Sequence, residues 1–215
     1  KFREGRLADI RPCIACHQGC LGRIFQGKDI SCAVNPACGR EESYAIAPAG
    51  TKKKILVAGG GLGGMEAARV CALRGHSVDL YEKSEQLGGV FIAAAAPDFK
   101  GEDRQLLEWY RKQMADLSIN VYLGAEATEE TVQGYDEIFV ATGAHERRLN
   151  MPGFDSPNVT YAVDTLLHTK IQEANVLVIG GGLTGCEIAY LLAKGGKKVT
   201  IVEQAETILN AFGLC

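Results

Sequence analysis

The sequence predicts an α/β protein that contains two dinucleotide-binding βαβ units of the Rossmann type. Two glycine-rich turns, at residues 59–64 and 180–185, each follow an apolar strand pattern and precede a helical pattern. Residues 56–85 align without gaps on residues 177–206, and nearly half of the aligned positions are identical. A repeat of this length indicates a duplicated structural unit. We expect the second unit to be truncated.

Composition divides the chain into three predicted segments. Residues 1–50 hold five of the eight cysteines and little periodic apolar pattern, so we expect an irregular segment organised by a metal or a cluster. The Pro48-Ala49-Gly50 sequence marks its end. The first dinucleotide domain is predicted at 51–172, and the start of the second at 173–215.

Charge and composition exclude several classes of partner. The chain has 215 residues, is 47% hydrophobic and carries a net charge of -3, which gives no electrostatic footprint for nucleic acid. It has no apolar run of about 18 residues, so no membrane span is predicted. No signal peptide is visible, and clustered cysteines without one favour thiolate ligands in the reducing cytoplasm over disulfides.

Local patterns predict the elements of the first unit. A buried strand is expected at 55–58, a helix at 65–73 and a second strand at 77–81. An amphipathic helix is expected at 102–117, because apolar residues recur there at helical spacing. Two further strands are predicted at 120–123 and 137–141.

Each glycine of the repeated turn has a physical role in binding a dinucleotide. The first allows a tight turn, the second lets the backbone approach a pyrophosphate, and the third lets helix and strand pack closely. The helix N-terminus then offers unpaired N–H groups to the phosphates. A glutamate at the end of the next strand is placed to bind a ribose diol. These residues are Gly59, Gly61, Gly64 and Glu82 in the first copy, and Gly180, Gly182, Gly185 and Glu203 in the second.

Four cysteines near the start of the chain form a candidate metal site. Cys13, Cys16, Cys20 and Cys32 are spaced as C-x2-C-x3-C-x11-C. Close thiolates suit either zinc or an iron–sulfur cluster, and Cys13 to His17 also matches a C-x-x-C-H haem attachment sequence. Zinc sites usually have two C-x2-C pairs, and only Cys13 and Cys16 form one here, whereas haem would leave Cys20 and Cys32 unused. A [4Fe-4S] cluster, which uses all four cysteines, is therefore favoured. Cys38 could compete with Cys32 as the fourth ligand.

Together these motifs resemble the NADH:flavin oxidoreductase / 2,4-dienoyl-CoA reductase family. The resemblance rests on the cysteine spacing, on Asn35-Pro36 just after Cys32, on the first glycine turn, and on Leu87-Gly88-Gly89. It covers essentially the whole chain and corresponds to the C-terminal half of that family. Trimethylamine dehydrogenase and histamine dehydrogenase belong to the same group.

The resemblance implies which cofactor each unit holds. The first unit would bind FAD and the second NADH, since Glu203 would repel the 2′-phosphate of NADPH. The Gly-Gly pair would line the flavin, and the strand end at 141–143 would cross between the domains. The further residues expected to contact cofactors are Leu62, Gly63, Lys83, Gly88, Gly89, Ala141, Thr142 and Gly143.

The resemblance also implies a longer, homo-oligomeric enzyme. An N-terminal TIM barrel would carry FMN and bind a small-molecule enoate, enoyl-CoA or amine substrate. Electrons would pass from NADH through FAD and the cluster to that FMN, which would reduce an activated C=C bond. Because the cofactors supply this chemistry, no side chain of the chain is predicted to be catalytic.

Three alternatives remain open at this point. In the amine dehydrogenases the first dinucleotide site holds ADP, and electrons leave through the cluster to an external acceptor. The chain could also be a non-catalytic cofactor-binding module that docks on a partner. A stand-alone diaphorase that reduces dyes is the third.

Overall fold

The structure is a computed structural model that describes residues 2–209. The chain forms two compact units. The first contains the residues up to Ala95 together with Lys100–His145, and the second contains Ala96–Phe99 together with the residues from Glu146 onward. Across the described residues, no helix combines the length and apolarity needed to cross a lipid bilayer.

The cysteine-rich segment is largely irregular, as predicted. Its regular structure consists of two 3₁₀ turns, Phe2–Glu4 and Leu7–Asp9, and one short helix, α1 (Leu21–Ile24). Backbone hydrogen bonds outside regular elements organise the rest, including one from Ser31 N to Gly19 O at 2.7 Å. The segment therefore depends on side-chain contacts with the following domain for its position.

A four-stranded parallel sheet forms the centre of the first unit. Its strands are β1 (Lys54–Ala58), β2 (Ser77–Glu82), β3 (Asn120–Leu123) and β4 (Glu137–Val140), in the order β3-β2-β1-β4. β1 pairs in parallel with both β2 and β4, so the strand order reverses there. The crevice at the carboxyl end of such a strand is where open α/β sheets bind ligands.

The helices of the first unit are α2 (Leu62–Leu73), α3 (Phe91–Ala94) and α4 (Gly101–Asp116). α2 begins three residues earlier than predicted because Gly61, in extended conformation, is its N-cap. α4 and the strands agree with prediction to within one residue, which confirms the α/β fold class. Leu80, Met65 and Leu106 are at most 1% exposed where the helices pack on the sheet.

The opposite face of the sheet contains a buried carboxylate with two partners. Asp79 on β2 is 5% exposed and accepts hydrogen bonds from Tyr135 Oη at 2.6 Å and Asn120 Nδ2 at 2.7 Å. Burial, and then the bond to Asp79, raise the pKa of the Tyr135 phenol. These bonds satisfy buried polar oxygen atoms that would otherwise lose their contacts with water without compensation.

The second unit repeats the βαβ pattern on a smaller scale. Its elements are α5 (Ala162–Leu167), β5 (Asn175–Ile179), α6 (Leu183–Lys194) and β6 (Lys198–Val202). β5 and β6 pair in parallel, with Leu177 opposite Thr200. The duplicated unit predicted from the repeat is thus present in the described residues, although its boundaries at 172 and 173 remain a prediction.

Leu80→Ala is expected to lower the free energy of unfolding by about 2–5 kcal/mol, because it leaves a cavity at a fully buried site. Urea denaturation followed by circular dichroism would measure the loss. Leu73→Ala is the matched control, since Leu73 on α2 is 43% exposed and its truncation should cost much less. Equal losses in both variants would contradict the assigned core.

Candidate functional site

The first glycine-rich turn lies at the carboxyl end of β1, where the strand order reverses. Gly59 has a φ of 108°, which favours glycine, and a Cβ there would overlap the carbonyl oxygen of Ala141. A Cβ on Gly64 would overlap the carbonyl oxygen of Gly59. Both glycines are therefore required by the protein's own packing, which brings the start of α2 against β1 and β4.

Gly61 and Gly63 differ from these two glycines. A Cβ at either position would meet no protein atom within 4 Å, and neither has a positive φ. The fold itself therefore does not require glycine at 61 or 63. Glycine there leaves the backbone N–H groups at the first turn of α2 open to close approach by a ligand.

Glu82 fastens the turn to the end of β2. Its side chain is buried, and its two carboxylate oxygens accept backbone N–H bonds from Gly60 at 2.6 Å and from Ser84 at 2.8 Å. Burial raises the pKa of this carboxyl, but the bonds from Ser84 and Gly60 outweigh that effect and the pKa is lowered. A carboxylate has about four acceptor positions, so capacity remains for ribose hydroxyls.

The Leu87-Gly88-Gly89 segment also packs on the turn. Gly88 N donates to Gly60 O at 2.8 Å, and a Cβ on Gly89 would lie 3.1 Å from Gly61 Cα. Gly88 has a φ of 135° and no room for a Cβ beside Ile92. The Gly-Gly pair predicted from the sequence thus packs against the first glycine-rich turn.

The other residues of the first unit predicted to contact a cofactor lie at the same carboxyl end of the sheet. Ala141 N continues the β4 ladder with a 2.8 Å bond to Ala58 O. Thr142 and Gly143 follow and are exposed, and Gly143 has a φ of 82°. Lys83 is exposed next to Glu82, and its charge helps to lower the pKa of that carboxyl.

The second copy repeats this geometry within its own unit. Glu203 accepts bonds from Gly181 N at 2.6 Å and Ala205 N at 2.9 Å, and these bonds lower its pKa. A Cβ on Gly185 would overlap Gly180 O, whereas one on Gly182 would meet nothing within 4 Å. Both copies of the turn therefore contain glycines that packing requires and a glycine that is open to a ligand.

Cys20 and Cys32 belong to two stretches of chain that lie in direct contact. The Ser31 to Gly19 hydrogen bond joins the residues just before each, and a Cβ on Gly19 would lie 2.9 Å from Cys32 Cα. Burial, and then the neighbouring Cys32, Glu41 and Cys20, raise the pKa of the Cys38 thiol.

Cys13 and Cys16 lie on a tight loop. Cys13 Sγ accepts a bond from Ala15 N at 3.3 Å, and Ala15 and His17 have positive φ values of 53° and 54°. In the part of the chain that the structure describes, no three His, Cys, Asp or Glu side chains converge into a preformed metal site. The donor chemistry and the N–H to sulfur bond nonetheless suit thiolate ligation, so the ligand set remains a prediction.

Sequence reasoning missed two residues that shape the turn. Gly60 gives its N–H to Glu82, and a Cβ there would lie 2.6 Å from Leu87. Its identity with Gly181 in the repeat was a signal that could have revealed it. Arg111 on α4 donates to Leu87 O from Nε at 3.1 Å and Nη2 at 2.6 Å, so it holds the Gly-Gly segment in place. No local pattern marks that arginine.

Comparison with known proteins gives one family match. Residues 53–214 match the family described as pyridine nucleotide-disulphide oxidoreductase. Cinnamate reductase from Clostridium sporogenes is 45% identical over all of this chain and 32% of its own length. NADH oxidase from Thermoanaerobacter brockii is 40% identical over 97% of this chain and 33% of its own length.

A solved structure is similar over nearly the same extent. The complex of 2-naphthoyl-CoA reductase with 2-naphthoyl-CoA superposes with a TM-score of 0.92 at 36% identity, over 98% of this chain and 33% of that one. The chain thus spans about a third of the length of these relatives. These matches confirm the resemblance proposed from the sequence motifs.

Gly64→Ala is expected to destabilise the fold by about 3 kcal/mol or more, because the new methyl would overlap Gly59 O. Gly63→Ala is the matched control. Its methyl meets open space within α2, so the higher helix propensity of alanine should leave stability unchanged or raise it by up to about 1 kcal/mol. Urea denaturation would measure both, and a stable Gly64→Ala variant would contradict this geometry.

Glu82→Gln is expected to destabilise the cofactor-free protein at neutral pH. The folded-state pKa of Glu82 is lowered, so its ionised form stabilises the fold above the ordinary carboxyl pKa of about 4.3. That stabilisation is lost as the pH falls through the lower folded-state pKa. The difference in unfolding free energy between wild type and variant should therefore shrink below about pH 4.

Measuring urea midpoints from pH 7 down to pH 3 would test this dependence on Glu82. Glu126→Gln serves as the control, because Glu126 is exposed. A gap between wild type and Glu82→Gln that stays constant with pH would contradict the assignment.

Proposed function

The chain belongs to the pyridine nucleotide-disulphide oxidoreductase family, and from this membership we propose that it is the electron-input module of a larger flavin-dependent reductase. In this proposal the module takes electrons from NADH and delivers them, through FAD and a [4Fe-4S] cluster, towards an FMN-containing domain that reduces an activated C=C bond. Two relatives named as reductases, of cinnamate and of 2-naphthoyl-CoA, support the reductase assignment.

The observation that carries the proposal is the pair of glycines that the fold does not need. Gly61 and Gly63 leave open space at the N-terminus of α2, while the neighbouring Gly59 and Gly64 are enclosed by protein. A dinucleotide pyrophosphate fits that space, because the helix start offers N–H donors and a partial positive charge. Gly182 leaves open space in the same way at the N-terminus of α6 in the second unit.

The residues proposed to hold each group follow from these positions. FAD would be held by Gly59, Gly61, Leu62, Gly63, Gly64, Glu82, Lys83, Gly88, Gly89, Ala141, Thr142 and Gly143. NADH would be held by Gly180, Gly182, Gly185 and Glu203, and the cluster by Cys13, Cys16, Cys20 and Cys32. When bound, these groups would supply hydride transfer and single-electron transfer.

The chain's own residues have the task of binding and orienting. Glu82 and Glu203 each hold a glycine turn in place by accepting one of its backbone N–H groups, from Gly60 and Gly181 respectively. The remaining acceptor capacity of each carboxylate suits a ribose diol, and the negative charge of Glu203 disfavours the 2′-phosphate of NADPH. NADH is therefore the proposed electron donor, which agrees with the name of one relative, NADH oxidase.

The decisive measurement is the anaerobic visible spectrum of the purified protein before and after NADH, with iron, sulfide and flavin assayed. We expect about four iron atoms per chain, bound FAD, and bleaching on addition of NADH but a weaker response to NADPH. ADP in place of FAD, with no response to NADH, would support the amine-dehydrogenase alternative. Zinc without sulfide would overturn the cluster.

Three variants sharpen this test. If Cys32 is the fourth ligand, Cys32→Ser should lose iron and sulfide while keeping FAD, and Cys38→Ser should keep iron and sulfide. The reverse pattern would identify Cys38 as the fourth ligand. Gly61→Ala, whose methyl would meet no protein atom within 4 Å, should lose FAD while keeping its stability. Retention of FAD by that variant would contradict the proposed phosphate site.

A further inference from the structure

Arg11 crosses from the cysteine-rich segment to the first dinucleotide unit. It lies two residues before Cys13, and its side chain is only 14% exposed. Its Nη2 donates to both carboxylate oxygens of Glu66 on α2, at 3.1 and 2.9 Å. The helix that carries Glu66 is the one whose N-terminus forms the glycine turn.

The same guanidinium also binds the second cysteine stretch. Arg11 Nη1 donates to the carbonyl oxygen of Val34, which lies two residues after Cys32. One side chain therefore connects the residues before Cys13, the residues after Cys32 and helix α2. Ile14 and Val34, which flank these points, pack against the hydrophobic core of the unit.

The guanidinium of Arg11 also contacts aromatic rings, in addition to its hydrogen bonds. Arg11 Cζ lies 4.5 Å from the ring centroid of Trp109 and 5.5 Å from that of Tyr110, both buried on α4. Glu66 is shared with Arg69, whose Nε lies 2.9 Å from Glu66 Oε2. Burial raises the pKa of Glu66, but the bonds and charges of Arg69 and Arg11 outweigh it and keep the carboxyl ionised.

We propose that Arg11 is the positioning residue that fixes the four-cysteine site against the flavin-binding unit. The inference rests on the proposed function, because it takes the four cysteines as cluster ligands. A planar guanidinium can bind a carboxylate with one edge, donate to a carbonyl with another nitrogen and stack on aromatic rings. A lysine ammonium cannot reproduce these contacts together, although it keeps the charge.

The test compares Arg11→Lys and Arg11→Gln with wild type, with the exposed residue Arg3 changed to Gln as the matched control. In both Arg11 variants we expect FAD content to be retained and iron to be lost to a chelator about tenfold faster, which is the scale of the effect of residues that orient metal ligands. Arg3→Gln should behave as wild type.

The reduction potential of the remaining cluster supplies a readout that a purely structural role would not move. Reduction adds negative charge, so removing the cation in Arg11→Gln should lower the potential, and Glu66→Gln, which removes an anion, should raise it. Arg11→Lys should lie nearer to wild type in potential but not in iron retention. An EPR-monitored redox titration measures all three variants.

Two results would overturn the inference. In the first, both Arg11 variants retain iron and keep the cluster potential of wild type, and only their urea midpoints are lower. Arg11 would then contribute only to the stability of the fold. If an Arg11 variant fails to fold, the Glu66→Gln variant decides the question. An unchanged cluster potential in Glu66→Gln would also show that the ion pair has only a structural role. Wild-type protein that holds FAD but neither iron nor sulfide would instead refute the cluster proposal, a failure recognised before any substitution is made.

Discussion

The site depends on the close contact between the start of α2 and the strands beneath it. Gly59 and Gly64 allow this contact because a side chain at either position would overlap a backbone carbonyl oxygen. Glu82 then holds the turn from the side by accepting the N–H of Gly60. With these contacts in place, the first N–H groups of α2 point into the crevice where the strand order reverses, rather than into the core.

The duplication shows which parts of this arrangement serve the fold and which serve a ligand. Both copies keep a carboxylate that accepts the N–H of the residue after the first glycine, and both keep a third glycine that packs against the carbonyl oxygen of the first. They differ at one open position, where Gly63 of the first copy corresponds to Thr184 of the second. That difference agrees with the proposal that the two units bind different dinucleotides.

The cysteine-rich segment obtains its position from elsewhere in the chain. From residue 2 to residue 50 it contains no strand and only two 3₁₀ turns and one short helix, so side-chain contacts must place it. Arg11 provides them through Glu66 and Trp109, which lie on two different helices of the first unit. An iron–sulfur segment attached in this way would be held at a fixed position relative to the glycine turn of the same unit.

The sequence by itself determined the fold class, the duplicated βαβ units, the strands and long helices of the first unit, and the residues of the glycine turns. These follow from local periodicity and from turn chemistry, which depend on neighbouring residues in the chain. Only the tertiary structure identified Arg11 and Arg111, and separated the glycines required by packing from those open to a ligand. Each of these depends on atoms brought together from distant segments, as when Arg11 meets Glu66, and no local pattern encodes such contacts.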